Sequence, residues 1–419
     1  MELYIHIPFC VRKCKYCDFL SFGGYGCDAD EKHHSLSDAY VKEICKELDG
    51  LRKKLTGKEI SIDTVFIGGG TPSVLDVKQT ETLFAAVGDL LKTTGKVSSC
   101  AEVPEFTVEC NPGTITEEKL LIYRKYGVNR LSMGLQSADD NVLETLGRIH
   151  DYACFEENFL LARRLGFDNI NVDLISAVPG QDMKALEETL RKTAGLSPEH
   201  ISVYSLILEE GTPLYEMYMA DPASLKLPDE ETERRMYRET GRILSEYGYK
   251  RYEISNYAKE GRKCRHNIGY WTGEEYLGIG PGAASYLSDK NIYLINIEEI
   301  NKKDIKNDEP KMYRIKNSTD LYSYTGQDSN GPAEEPEANV EELLAKEDLM
   351  AEFCILGLRL TEGISKTEFE RRFGLNIYDR FKNVIEKYVK NGLLEDKDDR
   401  IRFTERGLDL SNSVLCEFL

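Results

Sequence analysis

A chain of 419 residues, 41% hydrophobic and 30% charged, can bury a large core and is long enough for two or three domains. Its formal net charge of −19 opposes a nucleic-acid partner, because phosphate binding needs a concentrated positive face. No apolar run is long enough to span a bilayer and no basic, cleavable leader precedes the first strand-like run, so a soluble, cytoplasmic chain without a transmembrane segment is expected, with only transient membrane association left open.

Taken in chain order, short β-branched runs alternate with longer amphipathic stretches. The runs are Leu3–Ile7, Thr64–Ile67, Phe106–Glu109, Arg130–Met133, Asn169–Ile175 and Ile201–Leu206. Helix-like segments lie between them, among them Asp38–Leu55, Thr80–Leu91, Asn141–Leu146 and Cys154–Leu165. This rhythm predicts an α/β fold with a partial parallel (β/α)6-type barrel over residues 1–298, whose reactive groups belong at the C-terminal ends of the strands. The segment Ser21 to Ser37 reads as an insertion, a mobile flap near the cysteine-rich loop that precedes it. Residues 299–345 are polar and turn-rich around Thr325–Glu337 and read as a flexible linker or insertion. Residues 346–419 then carry helices at Asp348–Leu360, Phe369–Gly374 and Ile377–Asn391, followed by a hairpin at Leu393–Glu395 and Ile401–Thr404, which predicts a winged-helix-like domain. Its acidic balance favours a packing or lid role over DNA binding.

The densest chemistry is the run Cys10-x3-Cys14-x2-Cys17. The other eight of the eleven cysteines are isolated, which is not a disulfide framework and favours a reducing compartment. A structural zinc site or an electron-transfer [4Fe–4S] cluster wants four protein ligands; three thiolates leave one iron of a cubane open to a small molecule. A thioredoxin-like dithiol at Cys14 and Cys17 would leave Cys10 unused, and a zinc knuckle would have to recruit Cys27. Further candidates fall at the ends of successive strands: Gly68-Gly69-Gly70-Thr71-Pro72, Glu109, Gln136 and Asp173, with Arg148 able to grip a carboxylate or to form an ordinary surface ion pair. With an open iron, these groups suit a zwitterionic nucleoside such as S-adenosylmethionine, with Tyr16 near the adenine.

Tyr4-Ile5-His6-Ile7-Pro8-Phe9-Cys10, the cysteine loop, Gly68–Pro72, Gly127–Ser137 and Asp173–Gln181 together resemble the radical S-adenosylmethionine superfamily, and within it the oxygen-independent coproporphyrinogen III oxidase-like family. The resemblance implies that Cys10, Cys14 and Cys17 hold a [4Fe–4S] cluster. It also implies that Tyr4, Gly69, Gly70, Thr71, Glu109, Gln136, Arg148 and Asp173 contact S-adenosylmethionine. Ala177 stands where the family commonly has glycine. Two departures point away from the oxidases: only nine residues precede Cys10, where they carry a long extension, and Phe19 occupies the position of their fourth cysteine. Both are features of the haem chaperone branch, as is His266-Asn267-Ile268-Gly269-Tyr270-Trp271. A histidine beside two large aromatics is apt to bind haem, although it equally suits a core histidine hydrogen-bonded beneath the barrel.

The expectation is therefore a haem chaperone with a cluster, S-adenosylmethionine and haem, His266 being the candidate haem residue and a haem-acceptor protein the partner. A homodimer is compatible with it. The competing expectation is a radical decarboxylase of porphyrinogen propionates, and a third is a non-catalytic binding module.

Overall fold

Along the first strand, Leu3, Ile5 and Ile7 are fully buried on one face while Glu2, Tyr4 and His6 alternate onto the other. This period-two pattern sets the architecture of the chain. The apolar faces of the strands pack under a layer of helices, and the polar faces line an interior lumen. The computed structural model describes residues 1–26, 29–94, 103–295, 311–327 and 338–419. Its N-terminal part runs β1 (Glu2–Ile7), α1 (Glu31–Leu55), β2 (Thr64–Gly69), α2 (Val77–Thr93), β3 (Glu105–Cys110), α3 (Glu117–Lys125), β4 (Arg130–Gln136), α4 (Asp140–Leu146), α5 (Tyr152–Arg164), β5 (Ile170–Ser176), α6 (Met183–Gly195) and β6 (His200–Ser205). β1 to β6 pair in parallel and in order, so each crossover helix lies on the outside of the sheet. Side-chain caps fix where these helices start: Asp30, Asp76, Thr116, Asp139, Asp151 and Asp182 each accept a backbone N–H of the first turn.

After α7 (Pro213–Ala220) and α8 (Glu230–Glu246), two short strands, β7 (Lys250–Arg251) and β8 (Asn256–Ala258), close one edge antiparallel to β6. Beyond α9 (Arg265–Thr272), β9 (Tyr276–Ile279) returns to pair in parallel with β1. Three antiparallel strands follow, β10 (Ala284–Ser288), β11 (Met312–Asn317) and β12 (Ala338–Leu344), with α10 (Leu321–Thr325) between the last two. The result is an open, mostly parallel sheet of twelve strands in the order β12-β11-β10-β9-β1-β2-β3-β4-β5-β6-β8-β7.

Two sequence expectations are corrected here. The described parts of 299–345 hold β11 and β12, which extend the sheet, and α10; the remainder of the expected linker, 299–310 and 328–337, lies outside the described residues. The described parts of Ser21 to Ser37 are tied down: Phe22 N donates to Pro8 O, Cys10 N to Phe22 O and Tyr25 N to Cys10 O, and residues from Glu31 already belong to α1. Cys27, the zinc alternative's fourth ligand, lies outside the described residues.

The C-terminal module consists of α11 (Lys346–Gly357), β13 (Ile364–Ser365), α12 (Lys366–Phe373), α13 (Ile377–Lys390), β14 (Leu394–Lys397), β15 (Arg400–Phe403), α14 (Glu405–Asp409) and α15 (Ser411–Leu415). Its helices enclose a core of their own around Phe369, Phe381 and Ile385, beside the sheet β13-β15-β14, which is the winged-helix arrangement. Among the described residues no helix is long and apolar enough to cross a membrane.

Candidate functional site

The loop that follows β1 holds Cys10 buried and Cys14 and Cys17 partly exposed, at the C-terminal rim of the parallel strands. Among the described residues, no three His, Cys, Asp or Glu side chains converge closely enough to cage a single metal ion. Three thiols on one loop, with no fourth cysteine beside them in the run, suit a cubane that offers one iron to each thiolate. Burial pushes the Cys17 thiol up to about 11, with the Phe19 amide and Lys13 acting in the other direction. Hydrogen-bond donors already face two of the sulfurs: Arg148 Nη1 donates to Cys14 Sγ at 3.4 Å, and the Thr71 hydroxyl lies 3.4 Å from Cys10 Sγ.

Asn111 joins those two donors. Its Nδ2 donates to Thr71 Oγ1 at 2.7 Å, and its Oδ1 accepts Arg148 Nη2 at 2.7 Å; the same Nη2 also donates to Gly134 O at 2.7 Å. The ordinary ion-pair alternative for Arg148 does not hold, since its partners among the described residues are a thiol, an amide, a carbonyl and the Tyr16 phenol. Its Nε is buried without a hydrogen-bond partner among the described residues, an open donor beside the cysteine loop. Asn111 is held in turn by Ser73 and Thr114, and these by Lys119, whose Nζ donates to Ser73 O at 2.8 Å and to Thr114 O at 3.1 Å.

The glycine run after β2 is a close approach of backbone to side chain. A Cβ on Gly68 would fall 2.8 Å from the Glu109 carboxylate, and one on Gly69 would fall 2.3 Å from the His6 ring. Gly69 N donates to Glu109 Oε2 at 3.1 Å. Burial, reinforced by the charge of Asp173, raises Glu109 to about 8 in spite of that N–H. Tyr4 and His6 lean into the same lumen, their side chains bonded to each other at 2.9 Å. Gln136 sits at a bulge where β4 and β5 slip register, with φ at +70°, and its amide comes near Asn111 and Arg148 over Gly134. Asp173 points inward from β5 and accepts from Ser132 and Asn171.

Thus Cys10, Cys14, Cys17, Tyr4, Gly69, Gly70, Thr71, Glu109, Gln136, Arg148 and Asp173 all come to the lumen or its C-terminal rim. His266 does not. It lies at the opposite end, among residues that begin the strands: its Nδ1 is 2.6 Å from Thr64 Oγ1, its Nε2 is 3.1 Å from Tyr270 Oη, and its amide donates to Glu105. The ring stacks on Phe66 and is 1% exposed, and burial lowers it to about 3, aided by Arg130. Both nitrogens are engaged, which leaves none for an iron in this conformation.

The match to known proteins covers the whole chain. Residues 4–193 match the radical SAM superfamily model, and residues 344–410 match the HemN C-terminal domain. "Heme chaperone HemW" of Bacillus subtilis (strain 168) is 34% identical over 416 residues, covering 99% of this chain and 98% of that protein. Its namesake in Escherichia coli (strain K12) is 32% identical over 419 residues, covering 100% and 98%. This chain belongs to the HemW family of radical SAM proteins. The solved coproporphyrinogen III oxidase (HemN) from Escherichia coli, a radical SAM enzyme, shares its fold with a TM-score of 0.74 at 21% identity, covering 100% of this chain and 89% of that one. Family membership implies a [4Fe–4S] cluster and S-adenosylmethionine. The three thiols on one rim loop, the donors facing two of them and the orphaned Arg148 Nε fit that pair of groups. Sequence reasoning overlooked Asn111, Ser73 and Lys119; the only signal was Asn111 directly after the strand that ends at Cys110.

Proposed function

We propose that this chain is a haem chaperone that binds a [4Fe–4S] cluster, S-adenosylmethionine and haem and hands haem to an acceptor protein in a reducing cytoplasm. The observation that carries this reading is full-length similarity to proteins named as haem chaperones, whereas the likeness to the oxidase is one of fold. In this reading Cys10, Cys14 and Cys17 ligate three irons. Arg148, through its open Nε, takes the carboxylate of S-adenosylmethionine; Glu109 and the Gly69–Thr71 backbone meet its amino end; Gln136 and Tyr4 line its path; and Asp173 accepts from the ribose hydroxyls. When bound, the cluster supplies an electron and an open coordination position. The protein holds the nucleoside across the strand ends and keeps donors on the thiolates. Haem ligation by His266 would require breaking its bond to Thr64 or Tyr270 and opening the floor of the lumen.

The test is anaerobic reconstitution followed by haem titration. A saturable Soret shift is expected, then its transfer to a haem-free acceptor, with no decarboxylated product from coproporphyrinogen III. Product formation would replace the chaperone by the oxidase, and a Soret band that never saturates would remove haem from the reading.

A further inference from the structure

Beneath Asp173 the lumen contains a continuous column of buried polar side chains. Asn171 Nδ2 donates to Asp173 Oδ1 at 2.8 Å and to Ser132 Oγ at 2.7 Å, and Ser132 Oγ donates to Asp173 Oδ2 at 2.8 Å. Asn171 Oδ1 lies 2.6 Å from His200 Nδ1 and accepts Ser202 Oγ at 3.1 Å. His200 Nε2 lies 2.8 Å from Tyr252 Oη, which accepts the Cys264 amide at 3.3 Å. Ser132, Asn171, His200, Ser202 and Tyr252 are all at most 5% exposed.

The direction of every bond in this column follows from its upper end. Asp173 accepts at both oxygens, so Asn171 must turn its NH2 toward Asp173 and its carbonyl toward His200. His200 must then carry its proton on Nδ1 and accept at Nε2 from the Tyr252 hydroxyl. Burial, with Arg130 nearby, keeps the ring neutral, as this arrangement requires. Every side-chain polar atom below Asp173 in the column has a partner among the described residues, and each of these protons points up toward Asp173.

We propose that Tyr252, His200 and Asn171 are positioning residues: they lock the Asp173 carboxylate so that its remaining lone pairs accept from both hydroxyls of a ribose cis-diol. This rests on the reading of Asp173 as the ribose contact. A locked bidentate acceptor gains affinity because little freedom is lost on binding. Releasing the lock costs that advantage for a diol and nothing for a ligand that lacks one.

The experiment measures Kd by calorimetry on the reconstituted protein, for S-adenosylmethionine and for its 2′,3′-dideoxy analogue. Asn171→Leu is expected to weaken S-adenosylmethionine by ~10-fold and Tyr252→Phe by ~3-fold, with the analogue unchanged in both. Tyr252→Phe keeps the ring in place, so it answers the question even where Asn171→Leu folds poorly. Asp173→Ala serves as the reference. If it abolishes the preference for the diol while Tyr252→Phe and any folded Asn171→Leu preserve it, the column has no positioning role and the Asp173 reading stands. If Asp173→Ala itself leaves the preference intact, the ribose reading fails and the proposal falls with it. Equal weakening of both ligands would also overturn it, by reducing the column to a structural support.

Discussion

Asn111 touches both donors serving the cysteine sulfurs, and it does so with opposite ends of its amide. Asn111→Ala takes from Arg148 its amide partner, leaving Gly134 O, Cys14 and Tyr16, and lets Thr71 rotate. S-adenosylmethionine binding to the reconstituted protein should therefore weaken ~10-fold, about the worth of one charge-assisted hydrogen bond. Thermal unfolding should move little, because the substitution is at a rim and not in the apolar core; a large fall in Tm with unchanged affinity would show that Asn111 only supports the loop. Ala177 is a second single-residue case. It has φ at +59°, where a Cβ meets the following carbonyl. Ala177→Gly should stabilise the chain by about 0.5–1 kcal/mol, the relief of strain outweighing the added freedom of the unfolded glycine. Denaturant unfolding measures this directly.

At the scale of elements, the first turn of α9 plugs the floor of the lumen by placing His266 against Thr64 of β2 and Glu105 of β3. Truncating a stacked, doubly bonded ring at such a site should cost about 2–4 kcal/mol, so His266→Ala is expected to lower the midpoint of chemical unfolding clearly. The Soret titration on the same variant, run where it is folded, separates this structural role from haem ligation. A comparable junction joins α1 to the sheet extension, where Glu47 accepts Gly280 N at 3.2 Å and Tyr324 Oη at 2.9 Å. Burial raises this carboxyl to about 7, against an ordinary value of 4.5. A carboxyl raised in the folded state contributes fully below its unfolded value and loses that contribution as pH climbs through its folded one. Stability should thus decline between about pH 4.5 and 7 from this group. Glu47→Gln, which keeps an acceptor without the charge, should exceed the wild type by about 1–3 kcal/mol at pH 8 and match it near pH 4.5.

Across the whole molecule, β1 to β6 were readable because parallel strands show as β-branched runs, and the rim candidates were readable because they directly follow those runs. β9 and β12 were not: the first is interrupted by Gly278, and the second is an edge strand whose five middle residues are exposed and carry no apolar period. The column under Asp173 and the role of Asn111 were hidden for another reason, since each depends on partners 29 to 52 positions away that no local pattern announces. The union of the two domains was equally invisible. The C-terminal module is fastened to the same α9 that plugs the lumen: Arg372 donates to Thr272 O at 2.8 Å, Arg359 lies over Trp271 at 4.5 Å, and Thr361 N donates at 2.9 Å to the backbone carbonyl of Tyr252. Trp271 is the chain's sole tryptophan, so its fluorescence reports on this seam alone. The Arg359 contact is worth about 0.5–2 kcal/mol, and it borders a module with its own core. Arg359→Ala should therefore split a single unfolding transition in two. The tryptophan emission shifts first as the module lifts off, and far-UV circular dichroism falls later as the sheet melts. Coincident transitions in the variant would instead mean that the seam is held by the remaining contacts, and that the module and the lumen floor unfold as one body.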